Sequence, residues 1–170
     1  MSDVLPWLEY RWSFDFPVGM FRAIVERVRG TPARLEEVVR SAPPKRMTRR
    51  PGGKWSAQEH AGHLVSLEAL WHVRLDEFRR GAAALTAADM TNKATDSGDY
   101  NRRTLAAILA DFRAARGGTV AVLDRLSLEA AGHTAVHPRP GRSIRLVDLC
   151  YFCAEHDDHH LAMIRNLLAT

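Results

Sequence analysis

LVDLCYFCAEHDDHHLAMIRNLL, residues 146–168, is the stretch that decides the fold. Its inward positions step alternately by three and four: Leu146, Leu149, Cys153, His156, His160, Met163 and Leu167. Such a seam belongs to a long helix packed against other helices in a bundle. Working outward, three more stretches carry the helical period. Over residues 55–80, Ser56-Ala57-Gln58-Glu59 forms a capping box, and Leu64, Leu67, Trp71, Leu75 and Phe78 line one face. Over 105–126 the seam is Leu105, Ile108, Phe112, Ala115, Thr119, Val122 and Leu126. Gly117-Gly118 lowers helix propensity there and predicts close packing or a kink. Pro17 opens the first segment, whose stripe is Phe21, Ile24, Val25 and Val28. Gly30-Thr31-Pro32 predicts a break, with Thr31 capping a new helix through Leu35, Val38 and Val39 and Pro32 at its first position.

This pattern predicts a single all-α domain over residues 1–170, a four-helix bundle with left-handed, coiled-coil-like packing. Residues 81–99 and 127–143 are the long crossover connections, and no strand pattern of useful length interrupts the helices. Residues 1–16 hold Trp7, Tyr10, Trp12, Phe14 and Phe16 without a period. They read as a short aromatic N-terminal extension that packs on the bundle or supplies a homodimer interface.

Composition excludes other classes. The chain of 170 residues is 46% apolar and 26% charged, ordinary for a globular protein. Its net charge of +4, from 24 basic and 20 acidic side chains, is too mild to demand a nucleic-acid partner. No charge-free stretch long enough to span a bilayer occurs, and the N-terminus lacks the pattern of a signal peptide. Two cysteines, Cys150 and Cys153, give no disulfide framework; in a cytoplasmic protein Cys153 reads as a small core residue and Cys150 as its partly buried neighbour. Lys45, Arg46, Arg49 and Arg50 lie in a proline-bounded segment without interleaved aromatics and read as a solvated loop.

The eight histidines are the departure from the ordinary. His156 and His160 occupy consecutive seam positions that should be apolar. Four residues apart, their rings lie above one another on one face, the spacing at which one helix offers two imidazoles to one metal ion. Two core imidazoles bonded to carbonyls or water are the competing reading. A third ligand would come from His60 or His63, and the helical wheel slightly prefers His60. His159 falls outside the seam and reads as solvated or as a partner of the ligands. His72 reads as surface, and His133 and His137 as loop residues that are solvated or else close over a site. Glu155, Asp157 and Asp158 are either partners for imidazole N–H groups or solvated acids of the helix face.

Trp55-Ser56-Ala57-Gln58-Glu59-His60-Ala61-Gly62-His63-Leu64, together with His156-Asp157-Asp158-His159-His160-Leu161, resembles the DinB/YfiT-like superfamily of metal-binding four-helix bundles. Phe16-Pro17-Val18-Gly19 and Gly30-Thr31-Pro32-Ala33-Arg34 resemble an N-terminal variant of it. The resemblance implies metal ligands at His63, His156 and His160, which overrides the wheel and leaves His60 as the alternative. Arg145 stands where the superfamily has a small polar cap on its last helix. A site of three neutral imidazoles keeps an open coordination position, and such ligands suit one divalent ion, Zn or Ni before Fe or Mn. The resemblance further implies hydrolysis of a small-molecule substrate, or S-transfer with a low-molecular-weight thiol as cosubstrate. A metal-binding stress-response or assembly protein without turnover is the alternative of a different class.

Overall fold

The computed structural model describes residues 4–169, so the ends of the expected 1–170 domain and 1–16 extension, residues 1–3 and 170, lie outside it. Four long helices carry the fold: α1 (Phe21–Val39), α2 (Ala57–Arg79), α3 (Leu105–Asp124) and α4 (Leu146–Ala169). The capping box at the start of α2 is complete: Glu59 N–H donates to Ser56 Oγ (3.1 Å) and Ser56 N–H donates to Glu59 Oε2 (2.8 Å). Arg145 precedes α4 without a capping oxygen, and Asp148 supplies the reciprocal half of a capping box, accepting from the Arg145 backbone N–H at 2.8 Å.

The packing order differs from an up-down-up-down bundle. Helix α1 packs on α3 and α4, and α2 packs on the same two. One apolar cluster holds the beginnings of α1 and α4 with the ends of α2 and α3; a second holds the opposite ends. Helices α1 and α4 are therefore parallel, and α2 and α3 run together in the opposite direction. Joining parallel α2 to α3 requires the long crossover at 81–99.

Several expectations are corrected. Helix α1 runs unbroken through Pro32. Proline has no N–H for the Val28 carbonyl, and that carbonyl accepts instead from the buried Arg116 Nη1 at 3.0 Å. The Thr31 hydroxyl, rather than capping, donates to Asp157 Oδ2 at 2.7 Å. Helix α3 also passes Gly117-Gly118 without interruption; a side chain at Gly117 would meet nothing, and one at Gly118 only ordinary contact. The connection from α3 to α4, expected as a loop over 127–143, contains an antiparallel hairpin that runs on to α4, β1 (Thr134–His137) and β2 (Arg142–Arg145). Burial alternates along β1, but Val136 faces out and His137 faces in, so the residue types do not show it; β1 also bonds the first crossover, Leu85 N–H to Val136 O at 2.9 Å.

The aromatic extension packs against its own bundle. Arg139, Arg142 and Arg145 interleave with it: their guanidinium groups lie over Trp12 (4.6 Å), Phe14 (5.0 Å) and Phe16 (5.3 Å). The same three side chains donate to the carbonyls of Trp7, Trp12 and Phe14. Among the described residues no helix is long and apolar enough to cross a membrane.

Candidate metal centre

Helices α2 and α4 bring His63, His156 and His160 together, all buried, with their ligand nitrogens within 4.8 Å of one another. His156 Nε2 lies 3.3 Å from His63 Nε2 and 3.1 Å from His160 Nε2. Three equivalent ring nitrogens meeting at one point cannot all be satisfied by shared protons. A cation can satisfy them. Tetrahedral zinc, with Zn–N near 2.0–2.1 Å, sets its nitrogen ligands about 3.3 Å apart. The donor set thus fits a divalent ion in spacing and in chemistry.

The far nitrogens orient the rings. His63 Nδ1 lies 2.8 Å from the buried Thr95 Oγ1, so with its proton on Nδ1 the ring presents the Nε2 lone pair to the centre. Thr95 comes from the short helix Lys93–Ser97 of the crossover. Tyr100 seats that crossover: its ring lies on Gly62, where a Cβ would come within 2.1 Å of the ring. A glycine beside His63 is what lets the connection approach α2. His60 is buried outside the trio, and its Nδ1 lies 2.8 Å from His160 Nδ1. It faces the back of a ring in the trio. His156 Nδ1 has no hydrogen-bond partner among the described residues.

Burial keeps these imidazoles neutral. It pushes His60 down to about 3, helped by the charges of His63 and His159. It pushes His63 down to about 4, with His159 adding to the effect. Burial also drives His156 and His160 well below the ordinary range, with neighbouring histidines reinforcing it. Neutral rings are the form that ligates a metal.

His159 and His137 are buried rather than solvated. His159 lies against Trp7 and Tyr10, with ring centroids at 5.7 and 5.6 Å. His72 and His133 are exposed, as their positions suggest. The acids beside the histidines partner arginines, not imidazoles. Asp158 pairs with Arg27 and Arg34, each at 2.5 Å, and Glu155 with Arg27 at 2.8 Å. Asp157, fully buried, pairs with Arg116 Nη1. Arg116 also donates through Nε to Glu68 Oε1 at 2.7 Å. One residue along a helix is a 100° turn, so α4 shows His156 to α2 while Asp157 faces α1 and α3. Burial raises the thiol of Cys150 to about 12 and that of Cys153 well above the usual value, which leaves both inert.

A cavity of about 580 Å³ opens on the trio, walled by Trp7, Trp55, Trp71 and Phe152. Trp55 stacks near His63 at 4.8 Å and His60 at 5.5 Å.

Comparison with known proteins places this geometry. No curated protein matches the sequence. A solved structure that resembles it is YfiT from Bacillus subtilis, described as a probable metal-dependent hydrolase with an unusual four-helix bundle topology. The two are 20% identical, with a TM-score of 0.79 over 94% of this chain and 91% of that one. At that identity the likeness concerns the fold. A model of the DinB superfamily matches residues 27–164, from within α1 almost to the end of α4. The chain belongs to the DinB superfamily.

Proposed function

We propose that this protein is a divalent-metal-dependent enzyme for a small-molecule substrate, with hydrolysis as its reaction. One observation carries the reading: three buried Nε2 atoms converge on the wall of a cavity large enough for a small molecule. His63, His156 and His160 would hold the ion, Zn or Ni. Their neutrality leaves the ion its full charge and an open position, the pattern of a catalytic centre. When bound, the ion supplies a Lewis acid that polarises a carbonyl and lowers the pKa of water or a thiol.

The chain's own residues do the rest. Thr95 and His60 hold the rings of His63 and His160 in orientation. Trp7, Trp55, Trp71 and Phe152 make the cavity apolar and limit water near the reacting group. The likeness to a probable metal-dependent hydrolase supports hydrolysis as the chemistry to test first.

The test is to load the untagged, chelator-stripped chain with Zn or Ni and assay small esters and amides, and separately a low-molecular-weight thiol with an electrophile. The expected result is ester or amide turnover that needs the metal and vanishes in His156→Ala with the helical content kept. Turnover only in the thiol arm would replace hydrolysis by S-transfer. Bound metal with no turnover in either arm would make the protein a metal-binding module.

A further inference from the structure

The cavity has a second polar end. Arg74 lies on α2 eleven residues beyond His63, about 16 Å along the axis and within about 20° of the same face. It lines the cavity, yet it is only 2% exposed. Its Nε donates to Thr86 O at 3.0 Å, and its guanidinium rests over the Trp71 ring at 5.6 Å. Buried guanidinium groups are normally paired with acids. Arg116, as deeply buried, holds two carboxylates. Among the described residues Arg74 has no ion-pair partner. Glu77, whose charge reaches it, spends its oxygens on the Thr86 N–H (2.8 Å) and hydroxyl (2.5 Å).

His137, on β1, lines the same cavity and is 2% exposed. Its Nδ1 accepts from Arg139 N–H at 3.1 Å, which puts the ring proton on Nε2. That Nε2–H is buried and has no acceptor among the described residues. The backbone ties the two together: Arg74 bonds Thr86 O, and the adjacent Leu85 N–H bonds the carbonyl of Val136, the residue before His137. Leaving a buried donor without an acceptor costs free energy. This donor and the Arg74 charge, which no carboxylate pairs among the described residues, come from two different elements on one cavity wall and suit one acceptor of negative charge. Arg139, also on this wall, is committed to the Trp7 carbonyl and the indole faces of Trp7 and Trp12. Asp89, an acid on the same wall, is exposed and accepts from Thr91 and Lys93.

We propose that Arg74 and His137 form the anion-binding end of the cavity, and that the substrate is a small carboxylate with a flat apolar body. The body would lie along Trp71 and Phe152, with the reacting group toward the three histidines; this orientation rests on the metal-enzyme reading above. One buried guanidinium balances one negative charge and meets a carboxylate through two parallel N–H bonds. A phosphate dianion would be left half-neutralised.

The test is calorimetric titration of the full chain, metal-free and zinc-loaded, with phenylacetate, hydrocinnamate and naphthylacetate against their primary amides. At least one acid is expected to bind roughly tenfold or more tightly than its amide, the effect of a charge-assisted hydrogen bond. Because the preference is read in metal-free protein, coordination of the carboxylate by zinc cannot produce it. Arg74→Met should abolish the preference and His137→Phe should reduce it severalfold, while Arg74→Lys, which keeps the charge if the Met variant does not fold, should retain part of it. Amides binding as tightly as acids, no binding of any acid, or a preference unchanged in both His137→Phe and Arg74→Met would overturn the proposal. A preference kept by metal-free protein supports the subsite even if the three histidines prove to hold no metal, so the two readings fail separately.

Discussion

His60 and His63 lie three residues apart on one face of α2, and both are buried, yet they meet opposite sides of the same imidazole cluster. His63 turns Nε2 into the trio, whereas His60 stands behind His160. A helical wheel resolves direction to one face and cannot separate these two roles. What separates them is Thr95, 32 residues further along the chain, which holds His63 by its back nitrogen. Removing the two side chains should therefore have unequal effects. His60→Ala is expected to retain one bound metal ion with affinity lowered about 10–100-fold, the usual cost of losing a partner behind a ligand. His63→Ala should lose stoichiometric metal. Competitive chelator titration reads both, and equal losses would contradict the assignment. The depressed pKa values also have a sign. The unfolded chain takes up protons on its histidines near 6.5, while His60 stays neutral to about 3 and His63 to about 4. Their folded values lie below the unfolded ones, so stability is full above about pH 6.5 and falls as pH drops toward 4. Each group contributes up to about 1.4 kcal/mol per pH unit in that window. Urea titrations of the metal-free protein between pH 7 and 4.5 should show a falling midpoint, and a midpoint flat with pH would contradict buried neutral rings.

Helix α4 shows why its partners were hard to read. Its seam of threes and fours is plain in the sequence, and so is the anomaly of His156 and His160 within it. Asp157 looked like a surface acid because charged residues are rarely buried alone. Its partner Arg116 is 41 residues away, and Glu68 is 48 residues from Arg116. No local pattern reveals such a pairing. The seam of α3 was placed on Ala115, but a strict heptad drifts around a helix of 3.6 residues per turn, and Arg116 is the residue turned inward. The break expected at Gly30-Thr31-Pro32 is absent for the same non-local reason: the carbonyl that proline leaves free is taken by Arg116. This knot of Thr31, Glu68, Arg116 and Asp157 locks the rotation of α4 about its axis, and with it the aim of His156 and His160. Arg116→Met leaves two buried carboxylates uncompensated and should cost about 3–5 kcal/mol. Chemical denaturation measures it. A loss below about 1 kcal/mol would show that the ion pairs contribute little to holding α4.

The molecule as a whole joins two apolar clusters through a polar middle. By position along the helices, Thr31, Glu68, Arg116 and Asp157 separate the cluster around Phe21 and Phe78 from that around Leu35 and Phe112. The helical class and four-helix count followed from periodicity, because amphipathic stripes are local. The order of the helices did not, since the two crossovers had a visible length but no visible direction. The hairpin stayed hidden in the second crossover, yet it brings His137 to the cavity, while the first brings Thr95 to His63. Both connections thus complete a centre whose three histidines lie on α2 and α4. The most direct measurement is anomalous diffraction at the metal edge from untagged protein loaded with zinc. One peak is expected within about 2.0–2.1 Å of the Nε2 atoms of His63, His156 and His160. Stoichiometric zinc at another site, or no peak between these three rings, would contradict the metal centre.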